Sequence, residues 1–169
     1  MRIVPLIGIT VLAFAAPRPG HAQTQFGPQV SFASQSIGIG IGGRVEASLA
    51  KVIPSVKGLG VIGSFDYFFP SSSFGVSPSY WEINANGDYH FEIPNSKLAP
   101  YAGAGLVVAH TSVSVCAGTF CASGSSTNVG LNLLGGMNFP AMGKITPFAE
   151  LRLELRTGSA FFVSGGVLF

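Results

Sequence analysis

Every acidic side chain in this sequence occupies an even-numbered position. The seven are Glu46, Asp66, Glu82, Asp88, Glu92, Glu150 and Glu154, and each lies in a stretch whose odd positions are apolar. Successive side chains of a β-strand point to opposite faces. Strands through these stretches gather the carboxylates on one face and Ile, Leu, Val, Phe, Gly and Ala on the other. A helix does not reproduce the pattern. Over residues 145–156 it would set Glu150 and Glu154 on one face, flanked by Leu151 and Leu155. The partition calls for a sheet with one wet face and one greasy face, closed so that the carboxylates are enclosed.

Composition indicates what surrounds the greasy face. Charged residues make up 9% of the chain, against about 25% in a soluble domain. Hydrophobic residues reach 47%, yet no apolar run of about 20 residues follows the N-terminal segment, so a helical membrane protein is excluded. An eight-stranded antiparallel up-and-down transmembrane β-barrel reconciles the two facts, because its strands alternate instead of running apolar. At 169 residues the chain holds one such domain. Residues 1–22 read as a cleaved signal peptide: Arg2 is followed by an apolar stretch over 3–16, and Ala22 supplies a small residue at the cut. The barrel domain is expected over 23–169. Without Arg2 and Arg18 the formal charge of +2 falls to about zero, so the basicity gives no reason to expect a nucleic-acid partner.

Strands are expected over 25–33, 37–49, 57–69, 80–93, 99–115, 128–139, 145–156 and 160–169. Short turns at 50–56, 94–97 and 140–143 hold or adjoin Lys51, Lys57, Lys97 and Lys144 and are assigned to the periplasmic side. The loops at 34–35, 70–79, 114–127 and 157–159 are rich in Ser and Gly, lack charge and are assigned to the cell exterior. Cys116 and Cys121 fall in the longest of these loops. In an exported chain their spacing reads as a disulfide clip, contributing roughly 2 kcal/mol on the loop-entropy model. Phe65, Tyr67, Phe69, Trp81 and Phe161 collect near one rim and Phe91, Phe139 and Phe169 near the other, as interfacial aromatic girdles do.

These features resemble the small eight-stranded outer-membrane barrels of the OmpA/OmpX type over essentially the whole mature chain. The most specific element is the terminal FFVSGGVLF, with Phe161, Val163, Val167 and Phe169 at alternating positions; APYAGAGL over 99–106 is a second. The resemblance implies export to the outer membrane of a Gram-negative cell. It also implies insertion by the barrel-assembly machinery and contact with lipopolysaccharide and phospholipid. The peptidoglycan-binding domain of longer members has no counterpart here, so a cell-wall tether is not implied.

The expected interior network comprises Arg44, Glu46, Asp66, Glu82, Asp88, His90, Glu92, Glu150, Arg152, Glu154 and Arg156. An eight-stranded barrel is only wide enough for side chains to fill, so the network reads as a plug. The expected function is a structural or surface-contact role without catalysis, cofactor or metal. The extracellular partner is not readable. A narrow cation-preferring channel is the alternative, suggested by the excess of acids. An outer-leaflet lipid A hydrolase is weighed on His110 and Ser112, whose H-x-S spacing puts them on one strand face, but no acid remains to orient the His. Two G-x-G-x-x-G matches, at Gly38/Gly40/Gly43 and Gly58/Gly60/Gly63, lie inside strands and lack the helix a nucleotide fingerprint needs. Inward glycines at 38, 40, 42, 58 and 60 are instead expected to make room for Tyr101 or the arginines. A lipocalin-like soluble barrel would need the two faces exchanged.

Overall fold

The computed structural model describes residues 24–72, 76–117 and 120–169. The expected signal segment lies outside the described residues. Eight strands follow in order: β1 (Thr24–Ala33), β2 (Gly38–Ser48), β3 (Leu59–Phe69), β4 (Val76–His90), β5 (Ala99–Ala117), β6 (Phe120–Asn138), β7 (Thr146–Leu155) and β8 (Ala160–Leu168). Each pairs antiparallel with the next, and β1 meets β8 from Gln29 opposite Gly166 to Ala33 opposite Phe162. The result is the expected all-β, up-and-down closed barrel. Stepping from partner to partner once around the wall returns to the first strand about ten residues further along. A stagger of that size tilts the strands by roughly 40°.

Register explains the unbroken parity of the acids. Even positions face inward on six strands, whereas β1 and β5 turn their odd positions inward. Glu46 on β2 pairs with Gln25 on β1, and Asp88 on β4 pairs with Gly103 on β5. Neither odd-facing strand carries an acid. Burial follows the same division. Asp66, Glu82 and Glu154 are 0% exposed, whereas Ile41 and Leu131 are each 56% exposed. Interior polarity and exterior grease invert a soluble protein, and the wall suits hydrocarbon.

The two ends of the barrel differ. At one end, β1 and β2 are joined by a tight turn in which Gln35 and Ser36 have φ of 60° and 64°. Positive φ at both central positions is the type I′ arrangement, whose twist matches that of the strands it joins. The Gln35 side-chain amide donates to the Ser159 carbonyl, tying this turn to the β7–β8 connection. The opposite end, called here the turn end, carries connections 49–58, 91–98 and 139–145, and all four lysines.

The sequence expectation errs most over residues 114–127, read as a loop. Here β5 and β6 stay paired, register unbroken, to Ala117 opposite Phe120. β4 accompanies β5 as far as Val76 opposite Val115, shortening the expected loop at 70–79. β7 leaves β6 at Leu131, so β4, β5 and β6 continue past the wall as a ribbon. Strands β5 and β6 have 19 residues each. At about 3.3 Å per residue that is about 60 Å of strand, against a hydrocarbon core of about 30 Å.

Candidate functional site

Side chains pack the interior in three tiers. Toward the ribbon end lies an aromatic cap of Phe68, Tyr80 and Phe162 with Val107, Ala109 and Ala160. Phe68 meets Tyr80 edge-on at 5.4 Å and Phe162 at 5.7 Å. Reading parity only for polar groups missed this cap. The signal was present, since Phe68, Tyr80 and Phe162 occupy the same even, inward positions as the acids.

Beneath the cap, Arg152 ion-pairs with Glu82 and lies 3.5 Å from Glu154 and 4.0 Å from Glu150. Its guanidinium also stacks 4.8 Å over Phe162. Arg156 Nε donates to Glu154 at 3.0 Å and its Nη2 to the Tyr80 hydroxyl at 2.9 Å. Asp66 has no arginine. Gln29 Nε2 sits 2.8 Å from both of its oxygens and Ser31 Oγ donates at 2.9 Å. Asn132 Nδ2 donates to Asn84 and Asn86 at 2.8 and 2.9 Å, joining β6 to β4 across β5.

Toward the turn end, Arg44 bridges Glu150 at 2.5 Å and Glu46 at 3.1 Å, and donates to the Tyr101 hydroxyl at 3.1 Å. Its guanidinium lies 4.4 Å from the Phe148 ring centroid. His90 Nε2 closes this tier, 2.8 Å from Asp88 and 3.1 Å from Glu46.

Glu92 requires a correction. It lies beyond the end of β4 and is exposed, because Pro94 and the 91–98 connection end the alternation at His90. The inward glycines also serve other partners than expected. A Cβ on Gly40 would sit 2.7 Å from the Phe68 ring, and one on Gly60 2.9 Å from Asp88 Oδ1. Tyr101 instead lies over Gly136 on β6.

Six enclosed carboxylates therefore face three arginines and one histidine. Isolated charges are not stable in such a place, and each persists only with partners. The mouths are open: a cavity of about 210 Å³ adjoins His90 and Glu46, and one of about 380 Å³ adjoins Tyr80 and Arg156. Between them lie Phe68, Phe162, Glu82 and Arg152, each 2% exposed or less.

His110 and Ser112 each bond to other partners. His110 stacks on Trp81 at 5.1 Å and its Nδ1 bonds Thr127 at 2.8 Å, whereas Ser112 bonds Ser79 at 2.7 Å. Cys116 and Cys121 face each other across the ribbon tip and are joined by a disulfide. Phe161, Val163 and Phe169 are 42–49% exposed and Val167 is half-buried on the outer face of β8 and its end.

No protein-family model matches the sequence, and no curated protein matches it. Solved structures share its architecture. Neisserial surface protein A aligns with a TM-score of 0.57 at 21% identity, covering 88% of this chain and 98% of that one. The attachment invasion locus protein of Yersinia pestis aligns with a TM-score of 0.59 at 15% identity, covering 88% and 97%. A major outer membrane protein from Thermus thermophilus aligns with a TM-score of 0.62 at 13% identity, covering 87% and 99%. The fold is that of the small eight-stranded outer-membrane barrels.

Proposed function

We propose that this chain is an integral outer-membrane barrel with a closed interior, serving a structural or surface-contact role without catalysis. The observation that carries this reading is the stack from Arg44 to Phe162, which fills the lumen with paired charge and then caps it with aromatic rings. The four-lysine end is read as periplasmic and the ribbon as extracellular. Lipopolysaccharide and phospholipid are the partners of the wall, and the barrel-assembly machinery is the partner during insertion, with Phe161, Val163, Val167 and Phe169 as its signal. One structural neighbour is named for attachment and invasion. A contact role here would fall to the ribbon, whose tip bears Phe120 at 83% exposure beside the disulfide.

Planar-bilayer recording tests the reading. The plugged barrel gives no steady conductance. Stable cation-selective openings would favour the channel alternative, for which the surplus of carboxylates argues. Heat-modifiable gel migration and fractionation of the outer membrane test the location.

A further inference from the structure

At the edge of the arginine-centred network, Glu46, Asp88 and His90 converge on one another: Glu46 gives Oε2 to Arg44 and turns Oε1 to His90, which also meets Asp88. Asp88 is 2% exposed; its Oδ2 lies 2.8 Å from His90 Nε2 and its Oδ1 has no hydrogen-bond partner. The same His90 Nε2 faces Glu46 Oε1 at 3.1 Å. A single ring nitrogen carries at most one proton, which the two carboxylates can only share. The three donor atoms lie within 4.8 Å of one another.

We propose that this cluster binds one divalent transition-metal ion of the zinc class. Bound at 2.0–2.2 Å, such an ion holds its donors about 3–3.5 Å apart. His90 Nε2 already stands 2.8 and 3.1 Å from the two carboxylates. One imidazole with two carboxylates suits first-row transition metals, whereas calcium and magnesium prefer oxygen alone.

The surrounding structure is arranged for it. Glu46 lies on β2 and Asp88 and His90 on β4, with β3 between them. They meet because β3 presents Gly60 inward, where a Cβ would crowd Asp88. On the β5 side, a Cβ on Gly103 would meet the Gly87 carbonyl and the Asp88 Cα and Cβ, so glycine there lets β5 lie close to Asp88. Asn138 Nδ2 donates to Glu46 Oε1 at 3.2 Å, and Arg44 holds Oε2 at 3.1 Å, fixing the carboxylate. Such outer partners orient metal ligands. Glu46 and His90 also line the cavity at the turn-end mouth, which gives the ion a way in; exposed Lys57 borders that cavity too. The site does not depend on whether the lumen conducts.

Cobalt titration of the tag-free, chelator-washed barrel in detergent tests the proposal, with zinc as competitor. One equivalent of Co²⁺ should develop visible d–d absorption that Zn²⁺ abolishes. His90→Ala should weaken Co²⁺ by at least about 100-fold, more than the loss of an outer-shell partner costs, and His90→Gln should do the same while keeping a polar side chain. Asp88→Asn should weaken it as well. Asp66→Asn and His110→Ala should bind as the parent does. Heat-modifiable migration identifies the folded variants to be compared. Absence of saturable Co²⁺ or Zn²⁺ binding by the parent would overturn the proposal and leave a protonated His90 shared by two carboxylates. So would parent-like binding in folded His90→Ala or His90→Gln, or loss of binding in His110→Ala.

Discussion

Glu82 and Arg152 belong to strands that never touch, β4 and β7, yet they ion-pair across the lumen at 0% and 2% exposure. This contact and the Arg44–Glu150 pair from β2 to β7 connect opposite walls of the cylinder. Desolvating such groups costs several kcal/mol each, so the pair's net contribution is smaller than its Coulomb attraction implies. Its asymmetry is the useful property: losing one partner strands the other.

Arg152→Met should therefore destabilise the barrel by about 3–5 kcal/mol in reversible unfolding from lipid vesicles, because Glu82 loses its counter-charge and Glu154 keeps only Arg156. Glu82→Gln combined with Arg152→Met should cost less than Arg152→Met alone. A double variant whose loss equals the sum of the single losses would show that the two groups do not act as a pair.

The outer wall gives a second test. Leu133 is 49% exposed near the middle of the β6 wall, and its neighbour Asn132 is 0% exposed. Leu133→Arg should cost about 2–4 kcal/mol when the barrel is folded into lipid, the figure for a cation at the bilayer midplane. Ser48→Arg, at the turn-end mouth, should be nearly neutral. Equal losses at both sites would contradict the facing of the strands.

Gly40 and Phe68 form a matched pair of absent and present volume. Gly40→Ala should destabilise by about 1–3 kcal/mol, the cost of overpacking, since its Cβ falls on the Phe68 ring. Phe68→Leu in the Gly40→Ala background should recover part of that loss in the same unfolding assay. No recovery would mean that the aromatic cap does not set the need for glycine.

Reduction of Cys116–Cys121 should leave barrel migration on gels unchanged while speeding proteolysis of the ribbon. The small ring is worth about 2 kcal/mol to the hairpin on the loop-entropy model. It lies far along β5 and β6 from the wall, beyond the last β7 pairing at Leu131. Loss of heat-modifiable migration on reduction would place the clip in the stability of the whole barrel.

The wall was legible in the sequence because lipid and lumen impose opposite demands on alternate residues, and Glu46, Asp66, Glu82, Asp88, Glu150 and Glu154 record that demand, with Glu92 beyond β4 the exception. The ribbon was not. Residues 114–127 are Ser, Gly and Thr for the most part, with no apolar face to alternate, and their strand character comes from pairing with a partner strand. The β1–β2 connection was expected at 34–35, but its turn type was not legible, since Gln35 and Ser36 adopt a turn usually marked by Asn-Gly. The aromatic cap was obscured because Phe in a lipid-facing wall is expected outside, although the even positions of Phe68 and Phe162 already set them on the inward face. The convergence of Glu46 with His90 was also out of reach, because it depends on which strands flank Gly60.

Site-resolved paramagnetic broadening in bilayer nanodiscs tests the division of inside from outside most directly. A spin label carried on lipid acyl chains should broaden the methyl groups of Leu131, Leu133 and Leu151 while leaving the side-chain amides of Asn84 and Asn132 sharp. Broadened asparagines with sharp leucines would reverse the wall and contradict the structure-based account.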